Sequence, residues 1–202
     1  MEGDKRDNFD KYMIYGWMPY LLNLKTDEQR KNYLISLFEE VYIKDIIERH
    51  KIERKEILIT LSSLISSLTN PTNITNSIKS IKKEKLSSNT VSDYIEHCLD
   101  AFLISEAKRN DVKGKHYFEY PNKYYFIDIG LRNARLNFRQ FDPGHIMGNI
   151  VYNELISRGY SVDIGVVVDR RNNANCQKEI DFVVNLGGKK NVYLISLANE
   201  HR

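Results

Sequence analysis

The chain has 202 residues, a formal net charge of +3, 42% hydrophobic and 28% charged residues. That places it among soluble globular proteins with room for one large domain or two small ones, well away from the disordered class. Two cysteines, Cys98 and Cys176, far apart and without a partner motif, are too few for a disulfide framework or a cysteine-rich zinc site and fit a reducing cytoplasm, while no apolar stretch approaches the ~20 residues of a membrane span.

The first residues, Met1–Asp7, lack the apolar region of a signal peptide. Residues 12–22 form a compact aromatic segment interrupted by Gly16 and Pro19. Thr26 with Gln29 three residues on is a capping box, and the helix it opens carries Tyr33, Leu34, Leu37, Phe38, Val41, Tyr42, Ile46 and Ile47 at helical spacing. Eight basic and eight acidic residues between Leu24 and Thr60 make its other face a solvated one. The first of three further helices, over 54–68, carries Ile57, Leu58, Leu61, Leu64, Ile65 and Leu68, and Asn70-Pro71 ends it, because proline disfavours helical geometry in the residue before it. A short helix near 73–82 follows, with Ile74, Ile78 and Ile81 as its stripe. A third begins at Thr90 or Asp93, with Tyr94, Ile95, Cys98, Leu99 and Phe102 on one face. Leu103–Arg109 and Lys123–Ile127 read as two strands joined by a polar loop with Gly114 and Pro121. Three helices and a two-stranded ribbon predict a winged helix-turn-helix over 54–141, preceded by a linker and helix over 1–53.

Asp142-Pro143 opens the last part, residues 142–202, with an N-cap and a proline in the first turn. A helix over 144–158 and strands over 161–168, 179–185 and 191–197 predict a small α/β unit. The fold class expected is therefore α+β. In the strand Glu179-Ile180-Asp181-Phe182-Val183-Val184 the two acids, two apart, project to one face. Helix acid Glu154, strand acid Asp181 and one more strand is the layout of a metal-dependent nuclease core. The plain structural alternative is that Glu179 and Asp181 meet the basic loop Arg170–Lys178 and that Glu154 lies on a solvated helix face.

Basic charge gathers in the turn and the wing. Lys79, Lys82, Lys83 and Lys85 oppose Glu84. Lys108, Arg109, Lys113, Lys115, Lys123, Arg132, Arg135 and Arg139 oppose Asp111, Glu119 and Asp128. The third helix, which would enter the major groove, instead presents Asp93, Glu96, His97 and Asp100, a face that repels phosphate. Two readings stand: phosphate contact with DNA or RNA through the rim, or a protein-interaction module whose basic rim is merely solvated. Arg132, Arg135 and Arg139, at i, i+3 and i+7, would share a helix face and take either a phosphate or neighbouring acids. The histidines, at 50, 97, 116, 145 and 201, show no metal-ligand spacing. Thirteen tyrosines suit packed interfaces better than base stacking. No P-loop, Gly-x-Gly-x-x-Gly or Gly-x-Ser-x-Gly occurs, so no nucleotide loop and no serine-hydrolase site is expected.

Taken together, Tyr15-Gly-Trp-Met-Pro-Tyr-Leu, Leu37-Phe-Glu-Glu-Val-Tyr-Ile-Lys-Asp-Ile-Ile, Leu68-Thr-Asn-Pro-Thr, Lys123-Tyr-Tyr-Phe-Ile-Asp-Ile-Gly-Leu-Arg-Asn, Asn149-Ile-Val-Tyr-Asn-Glu-Leu with Arg158-Gly-Tyr, and Glu179-Ile-Asp-Phe-Val carry a resemblance. The chain resembles the C-terminal half of a prokaryotic, especially archaeal, group of AAA-type P-loop ATPases. In that group a winged helix and a nuclease-like domain follow the nucleotide domain. The resemblance implies an ATPase domain before residue 1, or an ATPase subunit as partner, and a terminal domain similar to the PD-(D/E)XK nuclease fold. By position, Glu154 matches its helix acid and Asp181 its strand acid, with Glu179 beside it; these are the candidate catalytic residues, and Glu154 and Asp181 the candidate Mg²⁺ ligands. The third-motif carboxylate and lysine fall on Ile195 and Leu197. One or two carboxylates hold Mg²⁺ poorly, and hydrolysis without the lysine loses much of its machinery.

The expectation is thus a non-catalytic C-terminal module of a cytoplasmic AAA-type ATPase, with no cofactor of its own and no membrane partner. Its winged helix would serve interaction or contact DNA through Lys79, Lys82, Lys83, Lys85, Lys113, Lys115, Arg132, Arg135 and Arg139. The alternatives are a Mg²⁺-dependent nuclease acting on DNA and a regulatory partner of a separately encoded ATPase.

Overall fold

The computed structural model of the chain describes residues 4–65, 71–82, 87–111, 122–139, 141–169, 176–187 and 189–193. Helix α1, Lys5–Tyr15, was not signalled by periodicity; Asp4 caps it and Gly16, at φ 71°, ends it. A 3₁₀ turn at Pro19–Asn23 leads to α2, Asp27–Ser36. The predicted capping box is formed: Gln29 N donates to Thr26 Oγ1 at 3.2 Å, and Thr26 N donates to Gln29 Oε1 at 3.1 Å. The helix then widens through π-type turns at Leu37–Ile43 and narrows again as α3, Lys44–Arg49. The single helix predicted through Ile47 is therefore one run with a wide middle.

Helices α4 (Lys55–Ile65), α5 (Pro71–Lys82) and α6 (Ser88–Asp100) pack on one another. The cap of α6 is Ser87, whose Oγ accepts from Thr90 N at 3.0 Å, rather than Thr90 or Asp93. Strands β1 (Ile104–Ala107) and β3 (Lys123–Phe126) pair antiparallel as a ribbon. Between them β2, Arg109–Asp111, leaves the ribbon and pairs parallel with β4, Ser161–Asp169. The strand predicted as Leu103–Arg109 thus serves two sheets, with the switch at Lys108, whose carbonyl accepts from Ile164 N at 2.8 Å. Helices α7 (Ile129–Arg135) and α8 (Pro143–Ser157) follow. Then β4, β5 (Cys176–Leu186) and β6 (Lys189–Tyr193) form an antiparallel meander in a four-stranded sheet of order β2-β4-β5-β6. The fold class is α+β.

One apolar cluster runs from Tyr15, Leu34, Phe38 and Ile46 through Ile57, Leu61, Ile74, Val91 and Ile95 to Phe126 and Leu131. It crosses the boundary expected near residue 53, so the N-terminal helices share the core of α4–α6 and the ribbon. A second cluster, Ala107, Tyr152, Leu155, Val162, Ile164, Phe182 and Val184, fills the space between α8 and the four-stranded sheet.

Asp128 joins these parts. Its side chain is fully buried and caps α7, accepting from Gly130 N at 2.7 Å and Leu131 N at 3.2 Å. It also accepts from Trp17 N at 2.9 Å, just beyond the end of α1. Asn133 completes the grip from the next turn, donating to the carbonyls of Met13 and Ile14, both at 2.9 Å. Two glycines make the approach close enough. A Cβ at Gly16 would lie 2.2 Å from Asp128 Oδ1, and one at Gly130 would lie 2.0 Å from the Tyr15 carbonyl oxygen. Burial pushes the Asp128 carboxyl above its ordinary value, against the three backbone N–H groups that pull it down.

Asp128→Ala leaves three shielded N–H groups without an acceptor and is expected to cost about 3 kcal/mol of unfolding free energy in urea titration. Asp128→Asn keeps one acceptor oxygen for Gly130 and Leu131 N–H but sets an amide NH2 against Trp17 N–H, and should cost less than Asp128→Ala without being neutral. Gly130→Ala, whose new methyl meets backbone, should destabilise strongly. Gly148→Ala, mid-helix in α8 with nothing within 4 Å, should stabilise by about 0.5–1 kcal/mol.

Candidate functional site

Strand β5 contains one residue more than its partner. Val183 opposes Asp163 and Ile180 opposes Gly165, so two steps on β4 match three on β5. The extra residue lies at Asp181–Phe182 and makes a β-bulge. On one side of it Val184 opposes Val162, and both belong to the core beneath α8. On the other side Glu179 opposes Val166, which alternation puts on the same face of β4 as Val162 and Ile164. Without the bulge Glu179 would sit on the face opposite to Phe182 and Val184. The bulge therefore turns the carboxylate inward, toward the ribbon.

There Glu179 is held by two cations. Arg109 Nη2 on β2 lies 2.7 Å from Oε2, and Lys123 Nζ on β3 pairs with Oε1. The side chains of Arg109 and Lys123 are only 17% and 20% exposed, that of Glu179 34%. This triad ties the ribbon to the four-stranded sheet. Tyr125 backs it, stacked on Tyr152 at 4.2 Å and tilted against Phe182 at 5.9 Å. Burial, with the fields of Glu179, Tyr152 and Asp181, holds the Tyr125 phenol well above its ordinary value. Among the described residues the partners of Glu179 are thus Arg109 and Lys123, which belong to the basic rim but not to the residues expected to contact DNA.

Glu154 does not join them. It lies exposed on α8 and pairs with Arg158 one turn on, Nη2 to Oε1 at 2.6 Å. Glu154, Glu179 and Asp181 do not bring one donor atom each to within 4.8 Å of one another. With Glu179 neutralised by two cations and Glu154 by a third, this set does not fit Mg²⁺, which needs free oxygens in a near-octahedral shell. The positions of Ile195 and Leu197 lie outside the described residues.

The arginine stripe does not form. Helix α7 ends at Arg135, and Asn137 and Phe138 follow at φ 50° and 55°, which turns the chain before Arg139. Arg132 is buried, its Nη1 donating to Asn133 Oδ1 at 3.1 Å, and burial pulls its guanidinium below the ordinary value. Arg135 donates to the Ile59 carbonyl at 2.6 Å and to Ser62 Oγ at 2.9 Å, holding α4 to α7. Arg139 and Lys79 are exposed. Lys82 ends α5, and Lys83, Lys85, Lys113 and Lys115 lie outside the described residues. Asp93, Glu96 and Asp100 are exposed on α6 as expected, whereas His97, expected on the same outward face, is half-buried against His50.

Two features had no sequence signal. The N-terminal segment exposes Trp17 (65%), Tyr20 (52%) and Leu22 (67%). Trp17 and Leu22 line a cavity of about 370 Å³ with Tyr12, Tyr15, Leu21 and Arg30. The second is a histidine pair: His50 and His97 stack with ring centroids 3.7 Å apart, and Asp100 brings a carboxylate oxygen to them. Sequence spacing showed no metal-ligand pattern among the histidines, because these two come from separate helices. Burial, and then His50 itself, pull the His97 imidazole below its ordinary value. The neighbouring Cys98 faces the core, where burial pushes its thiol up to about 12.

A family model described as a domain of unknown function, DUF8612, matches residues 6–142 and stops at the N-cap of α8. The chain is 31% identical over 179 residues to an uncharacterised protein of Haemophilus influenzae, a match covering 87% of this chain and 42% of that protein. It is 28% identical over 178 residues to an uncharacterised protein of Methanocaldococcus jannaschii, covering 87% of this chain and 38% of that one. The chain therefore spans about two-fifths of the length of these relatives. No solved structure matches it. With more than half of its residues within the family model, the chain belongs to the DUF8612 family.

Proposed function

We propose that the chain is a non-catalytic interaction module of an AAA-type ATPase, with α4–α6 and the ribbon as a winged helix and α8 with the β4-β5-β6 meander as a nuclease-like unit whose carboxylates hold the fold together. The observation that carries this reading is the exposed apolar surface of Trp17, Tyr20 and Leu22 beside the Tyr12–Arg30 cavity. Tryptophan and tyrosine are enriched at protein interfaces, and a clustered exposed apolar surface marks a site of interaction. The relatives' greater length leaves room for a further part as the occupant, and the resemblance makes that part an ATPase. DNA contact is the weaker reading, because two of the rim cations are spent on Glu179 and α6 faces outward with acids.

Three outcomes are expected. Trp17→Ala with Leu22→Glu abolishes binding to the unmatched part of the Haemophilus influenzae relative, produced as a separate chain, and leaves the unfolding free energy within about 0.5 kcal/mol; wild-type chain that fails to bind it sinks the reading. Glu179→Gln strands Arg109 and Lys123 half-buried and lowers stability by about 1–2 kcal/mol, discounted for their residual exposure. Supercoiled and single-stranded DNA incubated with the chain and Mg²⁺ or Mn²⁺ stay intact; cleavage that Asp181→Ala removes would establish the nuclease instead.

A further inference from the structure

Two helices end at the same place. His50 is the C-cap of α3. His97 and Asp100 occupy the last turn of α6, three residues apart and so on one face. The imidazoles of His50 and His97 lie nearly parallel, 15° apart at 3.7 Å; their lone pairs lie in the ring planes, so one ring must turn out of the stack for both nitrogens to reach a common ion. His50, His97 and Asp100 each place a donor atom within 4.8 Å of the other two, and among the described residues theirs is the group of three that does so. His50 Nε2 is shielded from solvent and has no hydrogen-bond partner among the described residues. A buried polar nitrogen left in that state normally costs about 1–3 kcal/mol.

We infer that His50, His97 and Asp100 form a binding site for a divalent transition-metal cation of the Zn²⁺ class. Two imidazoles and one carboxylate are the donor set of borderline metals; a hard cation such as Mg²⁺ takes oxygen ligands instead. Three protein ligands leave a fourth position open to water or to a side chain of a partner. The surroundings favour a cation. The C-terminal ends of α3 and α6 lie at the site with their partial negative charge, and the same helix α6 carries Asp93 and Glu96 as exposed acids. The open position faces outward, since Asp100 is exposed while both histidines are half-buried. The ion would staple α3 to α6 and so fix the N-terminal helices against the three-helix unit. This site lies apart from the Glu179 triad and stands whether or not the proposed ATPase partnership does.

The test uses the full chain, stripped with a chelator and titrated with Zn²⁺ and Co²⁺ by calorimetry and by the visible absorption of Co²⁺. One ion per chain is expected, with a rise in melting temperature and no displacement by excess Mg²⁺. His97→Gln and Asp100→Asn should each weaken binding by at least about a hundredfold, since loss of an outer-shell partner alone costs about 10–100-fold. Asp100 is exposed, so its variant keeps the fold and tests the ligand alone. His145→Ala, which removes an exposed histidine paired to Asp142, should change nothing. Binding that is absent, that exceeds one ion per chain, or that survives Asp100→Asn unchanged overturns the inference.

Discussion

A single buried carboxylate sets the arrangement of the helical half. Asp128 has no water to turn to, so its oxygens must find backbone N–H groups, and it finds them in two segments 111 residues apart. That requirement draws the end of α1 onto the start of α7 and needs glycine at both 16 and 130, because a methyl at either would occupy the space of the contact. It also explains the fate of α7. Pinned at its N-terminus by Asp128 and at its middle by Asn133, the helix lies among α1, α2, α4 and α8, and its residues Ile129–Ala134 are all buried. Arg132 is carried inside with them.

The β-bulge at Asp181–Phe182 does comparable work for the sheet half. One inserted residue reverses the face of everything N-terminal to it on β5, which converts an outward acid into the centre of an ion triad. Arg109 and Lys123 reach that acid because β2 and β3 are the two strands that flank the junction between ribbon and sheet. A carboxylate that closes a junction between two sheets is committed to the fold. Its ion pairs with both neighbours are the physical reason it is a poor metal ligand, whatever the ancestry of the strand that bears it.

Local signals in the sequence were faithful. The Thr26–Gln29 capping box, the Asp142-Pro143 helix start, most of the apolar stripes of α4, α5 and α6 and the acids on the outer face of α6 are where spacing put them. However, Ile81 and Phe102, expected on those stripes, are 59% and 73% exposed, and Leu68 lies outside the described residues. Helix α1 escaped notice because Tyr15 is its one fully buried residue, so the stripe that periodicity detects is hardly there. The arginine stripe failed for a related reason: spacing assumes the helix continues, and the left-handed turn at Asn137–Phe138 carries no glycine to announce it. Longer-range facts left no trace at all. The bulge, the transfer of β2 to the second sheet, the partners of Glu179 and the meeting of His50 with His97 depend on which segments the fold brings together.

These long-range meetings sort the polar groups of the interior into two kinds. Asp128 and Asn149 find backbone partners, and Asn133 finds backbone carbonyls and the Arg132 guanidinium; Asn149, for instance, both donates to and accepts from Phe126 at 2.6 and 2.9 Å. Others leave an atom unmatched. Among the described residues the buried side-chain atoms without a partner are His50 Nε2, Arg109 Nε, Asn110 Oδ1 and Asn122 Oδ1. Natural folds leave few such atoms, and here they fall in two places: at the histidine pair, and at the two ends of the 112–121 segment that joins β2 to β3. These atoms sit where α3 meets α6 and where the ribbon leaves the sheet, and the first of these places already has the donor set of a metal site.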